Sequence, residues 1–200
     1  MEQGSLFNKP KKLYLFFDTE TTGLPKKYNA PYEDLANWPR VVQLAWVVAD
    51  ENKNIIEEKN FIVKPDGFSI PFEAAAVHGI TDAKAHEFGL PLIEVLTTFT
   101  NSLQNNNISL VAHNISFDIS VMAAEFIRSG IINDFLKLPQ ICTMKSSIEF
   151  CNLPNRKFPK LAEVHRQLFN EDFANAHDAL ADVLACMRCF FELQRRGIIS

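Results

Sequence analysis

A chain of 200 residues fits one domain of ordinary size. With 47% hydrophobic and 22% charged residues it matches an average globular composition, which excludes a disordered or fibrous chain, and no run approaches the roughly 18 apolar residues of a membrane span. The net charge, 20 minus 24 or −4, argues against coating nucleic acid by bulk electrostatics.

The start of the chain is read as an arm over residues 1–10. Its basic cluster (Lys9, Lys11, Lys12) precedes an apolar run too short for a signal peptide. Cys142, Cys151, Cys186 and Cys189 are therefore expected to be reduced, in a cytoplasmic protein. Cys186 and Cys189 form a C-x-x-C, but ALADVLACMRCFFEL around them reads as a buried helix face rather than a zinc site. KKLYLFF (11–17) reads as a buried strand, followed by strand-like runs at 40–50 and 55–65 around the turn-like DENKN. LPKKYNAPYEDLANWPR, with three prolines and no period, reads as a long exposed loop over 24–40. Its Tyr28, Tyr32 and Trp38 either stack on a strand or pack the loop.

From Pro71 the period becomes helical: PFEAAAVHG is a short helix stopped by Gly79, and PLIEVLTTFTNSLQ follows with helical spacing. SLVAHN (109–114) is a further buried strand, and Ser116 is the expected cap of a helix from Phe117 to Ser129, terminated at Gly130. After ICTM (141–144), KLAEVHRQLF and AHDALADVLACMRCFFELQRR read as helices, the last stopped by Gly197. The order predicts a single α/β domain over 1–200 with a mixed sheet, antiparallel at its start and parallel later. Between Arg128 and Arg166 seven basic residues face three acidic ones, a balance of +4, read as a solvated surface with a basic groove as the alternative. QLFNEDF (167–173) is similar to a sliding-clamp-binding peptide and is read instead as a helix running into a loop. With few residues after the last helix, no long C-terminal tail is expected.

Three acidic signals carry chemistry. FFDTETTG puts Asp18 and Glu20 two apart at a strand's end, so alternation turns both carboxylates to one side. A pair of this kind invites a hard divalent cation, which takes oxygen ligands, although a solvated strand terminus offers the same pattern. Asp118, 98 residues beyond Glu20, falls in the first turn of a helix that follows a buried strand. It either faces the same crevice, outside the carboxyl ends of the strands, or compensates the helix dipole. In AHDALADV, Asp178 and Asp182 are i and i+4 and share a helix face, which by geometry alone favours them as a metal pair. His177 to Asp182 spans about 140° of ideal helix, so these two converge only if His177 precedes regular helix. A histidine beside carboxylates is a candidate general base.

FDTETTGL (17–24), HNISFD (113–118) and HDALAD (177–182), with IPFEAAAVHGIT (70–81) in support, resemble the DEDDh (DnaQ-like) 3′ to 5′ exonuclease family, which includes the epsilon exonuclease domain of DNA polymerase III and ribonuclease T. The resemblance runs from residue 13 to about 194. It implies a ribonuclease H-like fold, a mixed five-stranded sheet flanked by helices. It further implies Asp18, Glu20, Asp118 and Asp182 as ligands of two divalent ions, Mg²⁺ or Mn²⁺, with His177 as general base; Asp178 becomes an anion supporting the helix terminus. By the same analogy Thr21, Leu24, Val77, His78, His113, Asn114 and Phe117 line a substrate pocket, with Leu24 and Phe117 as apolar surfaces for terminal bases. The implied function is hydrolysis at the 3′ end of single-stranded nucleic acid, DNA favoured over RNA, releasing nucleoside 5′-monophosphates. The alternatives are RNA 3′-end trimming and a non-catalytic binding or polymerase-accessory module. A DNA polymerase partner and a homodimer remain open.

Overall fold

The computed structural model describes residues 11–104, 107–174 and 176–199, so the arm expected over 1–10 lies outside the described residues. One five-stranded sheet runs in the order β3-β2-β1-β4-β5. Its strands are β1 (Leu13–Thr21), β2 (Val41–Asp50), β3 (Ile55–Ile62), β4 (Ile108–Ala112) and β5 (Gln140–Cys142). β1, β2 and β3 pair antiparallel, and β4 joins β1, and β5 joins β4, in parallel. The expected switch from antiparallel to parallel therefore falls between β1 and β4. α1 (Phe72–His78), α2 (Asp82–Phe88) and α3 (Leu92–Ser102) make the crossover to β4. α4 (Ile115–Arg128), the short α5 (Thr143–Ser146) and α6 (Ile148–Cys151), α7 (Leu161–Phe169) and α8 (Ala179–Arg195) complete the chain.

Strand alternation divides β1 between two cores. Leu13, Leu15 and Phe17 pack with Leu96 and Phe99 of α3 and Val121 and Met122 of α4. Tyr14 and Phe16 face the opposite way, onto Val183, Cys186 and Phe190 of α8. The rings interlock at 5.3 Å between Phe16 and Phe190 and at 5.8 Å between Phe17 and Phe99, each adding to a burial term of about 1.5–3 kcal/mol per side chain. β2 is buried along its whole length, as a strand covered on both faces must be. The same alternation carries Asp18 and Glu20 to the α8 side and Thr19 and Thr21 to the α4 side.

Several boundaries differ from the sequence reading. β1 continues to Thr21, so both acids sit inside the paired strand, opposite Ala45 and Gln43 of β2. α2 is an extra helix, capped by Thr81. α4 starts two residues early: its cap is Asn114, in the left-handed region at φ 70, and Ser116 lies inside the first turn. The last helix starts at Ala179, because His177 at φ 71 cannot be part of a right-handed helix. The 24–40 loop is only partly exposed: Asn37 and Trp38 are buried, and the Trp38 indole donates to the Pro31 carbonyl at 3.0 Å. Trp38 thus packs the loop, while Tyr28 stays exposed. The four cysteines are free, Cys186 and Cys189 buried as expected. QLFNEDF ends a helix at Phe169 and turns into a loop, with Phe169 and Phe173 against the His165 ring. Of the basic run, Arg128, Lys137, Arg156, Lys157 and Arg166 are paired with acids.

Candidate active site

Four carboxylates from three elements meet where β1 and β4 end. Asp18 and Glu20 come from β1, Asp118 from the first turn of α4, and Asp182 from the first turn of α8. Asp118 is buried, and its Oδ1 accepts hydrogen bonds from the Thr19 amide at 3.1 Å and the Thr19 hydroxyl at 2.8 Å. The residue between the two β1 acids therefore fixes the third. Burial pushes the Asp118 carboxyl up to about 7 against the pull of these Thr19 bonds.

Asp18 lies well above the usual carboxylate range, through burial first and then the charges of Asp118, Asp182, Glu20 and Asp178. Glu20 is pushed up to about 8 by burial and by Asp182, Asp118 and Asp178. Burial also lifts Asp182 to about 6, opposed by a hydrogen bond that its Oδ2 accepts from the His177 amide at 3.2 Å. One ligating atom each from Glu20, His177 and Asp182 lies within 4.8 Å of the others. Among the described residues no lysine or arginine forms an ion pair with any of the four acids. Oxygen donors that repel one another and lack a protein counter-charge match the donor set of hard divalent cations, so the residues present fit such ions.

The two aspartates of AHDALADV part company here. Asp178 precedes α8 and caps it, accepting from the Ala181 amide at 3.2 Å. Its Oδ2 accepts from the Gln43 side-chain amide at 3.3 Å, and the Gln43 oxygen accepts from the Ala179 amide at 3.3 Å. Asp182, inside the helix, is the one drawn to Glu20. His177 precedes regular helix, the condition under which it can converge with Asp182. Sequence reading missed Gln43, and its only signal there is a polar residue inside the apolar run VVQLAW, where it is 3% exposed.

The expected pocket residues divide. Leu24 and Val77 are uncovered apolar side chains, whereas Phe117 is half-buried and packs against the α4-side core. The Thr21 hydroxyl donates to the Gly23 carbonyl at 2.6 Å, and the backbone of Thr21 adjoins His78. His78 is buried with its pKa lowered, chiefly by desolvation; Nδ1 accepts from the Ile80 amide at 3.2 Å, and Nε2 makes no hydrogen bond among the described residues. Asn114 supplies the left-handed turn into α4. His113 is pushed down to about 4 by burial, and both ring nitrogens are engaged: Nε2 donates to the Pro159 carbonyl at 2.9 Å and Nδ1 accepts from the Thr143 hydroxyl at 3.0 Å. Cavities flank the acids on two sides. One of about 480 Å³ is lined by Gln43, His78, Lys84, Phe88 and Asp178, and one of about 370 Å³ by His113, Met144, Phe158, Phe173, His177 and Asp182.

A mixed sheet with a carboxylate cluster and a histidine at the ends of its parallel strands is the arrangement of a hydrolase of the ribonuclease H-like fold. The model of one family, described as Exonuclease, matches residues 15–190, and the chain belongs to that family, in its DnaQ-like 3′ to 5′ class. It is 33% identical over 118 residues to the PolC-type DNA polymerase III of Lactococcus lactis subsp. lactis (strain IL1403), covering 59% of this chain and 6% of that protein. The corresponding polymerase of Streptococcus sanguinis (strain SK36) is 34% identical over 118 residues, 59% of this chain and 7% of that one. Among solved structures, Escherichia coli Exonuclease I in complex with a dT13 oligonucleotide superposes with a TM-score of 0.74 at 20% identity, covering 93% of this chain and 42% of that one. A moderately thermophilic Exonuclease I from Methylocaldum szegediense gives 0.70 at 22% identity, over 92% and 41%. The chain thus spans less than a tenth of the curated polymerases it matches and about two fifths of the Exonuclease I chains.

Proposed function

We propose that the chain shortens single-stranded DNA from its 3′ end, releasing nucleoside 5′-monophosphates, as a single catalytic domain. The observation that carries this reading is the convergence of Asp18, Glu20, Asp118 and Asp182, whose proton affinities are raised first by burial and then by neighbouring carboxylates. These four would hold two divalent cations, Mg²⁺ or Mn²⁺; bound there, the ions supply charge neutralisation at the phosphate and make water a stronger nucleophile. His177 stands exposed at the mouth of the cleft, tied to Asp182 through its own amide, and takes the proton of the attacking water at its ring. Asp178 holds the start of α8 and thereby the position of His177 and Asp182. Leu24, Val77 and Phe117 give the terminal base apolar surface, and Thr21, His78, His113 and Asn114 form the walls around its sugar and phosphate.

DNA is favoured because the structural neighbour carries a dT13 strand and the sequence relatives are DNA polymerases, which also supports work beside a polymerase. Four free cysteines support a cytoplasmic setting, and among the described residues no helix is long and apolar enough to cross a membrane. The test uses 5′-labelled DNA and RNA strands of one sequence with Mg²⁺ or EDTA, comparing wild type with Asp18→Ala. A ladder shortening from the 3′ end, faster on DNA and present only with metal and wild type, is expected. A faster RNA ladder reassigns the substrate, and no ladder with tight binding retained overturns catalysis.

A further inference from the structure

The cavity beside His177 and Asp182 has a wall that the proposed chemistry does not use. Between a 3-10 turn at Pro154–Arg156 and α7, Phe158 is 52% exposed and lines this cavity. The loop that carries it is firmly held. Asn155 and Arg156 both adopt left-handed backbone, at φ 56 and 52, which an arginine seldom does. The Pro159 carbonyl accepts from His113 Nε2 at 2.9 Å, the Lys160 amide donates to Glu163 at 2.7 Å, and Arg156 donates to Glu149. A segment fastened on both sides of Phe158 that still leaves the ring uncovered holds it in that position. Met144, Leu161 and Phe173 give the cavity an apolar lining, with Lys160 on its rim and Lys157, paired with Glu163 at 3.6 Å, next to the ring in sequence.

An apolar slot with an aromatic wall and a cationic rim suits an unpaired nucleobase flanked by phosphates, because every base has a π-face and every link a negative charge. We propose that Phe158 stacks on one base of the bound strand near its 3′ end, making this cavity a base subsite that grips the strand without regard to sequence. The inference rests on the exonuclease reading, from which it takes its ligand. A base paired within a duplex is already stacked and is not free to enter, so the subsite favours single strands.

The test measures binding of a fluorescently labelled single strand to the full chain by anisotropy, with Ca²⁺ present to limit cleavage. Phe158→Ala is expected to raise Kd about tenfold and Phe158→Trp to stay near wild type, within what stacking one base supplies. Strands carrying one abasic site at each of the last few positions identify the base: at one position wild type and Phe158→Ala should bind equally weakly. Equal affinity of the two proteins for the intact strand overturns the proposal, as does a deficit that survives at every abasic position. Melting temperatures of the variants should match wild type, since the ring is half exposed. Cleavage of the same strand by wild type in Mg²⁺ is read separately. Its absence with the binding deficit intact supports stacking and fails the exonuclease reading; its presence with equal binding overturns stacking alone.

Discussion

Raising the pH of the metal-free protein from about 6.5 to about 8 should destabilise it, opposite to the behaviour of most salt-bridged carboxylates. Glu20 at about 8, Asp118 at about 7 and Asp18 well above its usual range all hold protons that the unfolded chain has already released. A folded pKa above the unfolded one means stability is present at low pH and lost as pH rises through the folded value. The window avoids other groups: His113 and His78, both lowered, change stability only below about 6.5, and the buried thiols, Cys189 at about 12, only above about 8.5. At roughly 1.4 kcal/mol per unit, Glu20 alone contributes about 2 kcal/mol over this window, and the coupled cluster about 3 kcal/mol. For a domain of this size that is a fall in Tm of roughly 6–12 °C. The assay is thermal unfolding in EDTA across the window, repeated with millimolar Mg²⁺, which binds the ionised acids and should flatten the profile. A metal-free Tm that is constant or rises with pH would refute the reasoning, as would an unchanged slope in Glu20→Gln.

Asp18→Asn removes one charge from the cluster. It should raise the metal-free Tm at pH about 8 by a few degrees while lowering cleavage at least ~100-fold; wild-type cleavage by this variant removes Asp18 from the site. His177→Ala should keep strand affinity within about twofold and reduce turnover ~100-fold at saturating substrate, the size expected of a lost general base, and an unaltered rate would assign proton transfer elsewhere. Phe16→Ala empties a fully buried position against Phe190 and Phe191 and should cost roughly 3–5 kcal/mol in urea unfolding. A cost below ~1 kcal/mol would mean that the α8 side of the sheet is not packed as described.

The parts of the fold that sequence reading reached are those set by period. β1 and β2 are long apolar runs bounded by charge, and α3 and α8 repeat their apolar residues at helical spacing, so burial and pattern agree. α2 was missed because DAKAHEF buries only Ala85 and offers almost no apolar stripe to read. The start of α4 was misread for a different reason. A serine before an apolar run is the favoured cap, but the chain leaving β4 must turn sharply, and Asn114 does so by taking φ 70, a conformation asparagine tolerates better than most residues. Trp38 is ambiguous in the sequence because its burial depends on how a loop without periodicity folds back onto the core.

The acids were legible for the same reason as the strands: a two-residue spacing on a strand fixes the side on which Asp18 and Glu20 emerge. Spacing alone does not reach the last acid, which only the family resemblance names, because the i and i+4 argument for Asp178 and Asp182 presumes that both lie in one helix. Where that helix starts is decided by contacts far away in sequence. Gln43, on β2 and directly opposite Glu20, presents a donor to Asp178 and an acceptor to the Ala179 amide. A glutamine can do both at once, whereas a glutamate at this position would lack the donor and add a charge beside five acids. With Asp178 held as a cap and His177 in left-handed backbone, the first side chain of α8 able to reach Glu20 is that of Asp182. The start of α8, and with it the place of Asp182 beside Glu20, is therefore tied to the sheet through one buried amide as well as to the helix's own cap.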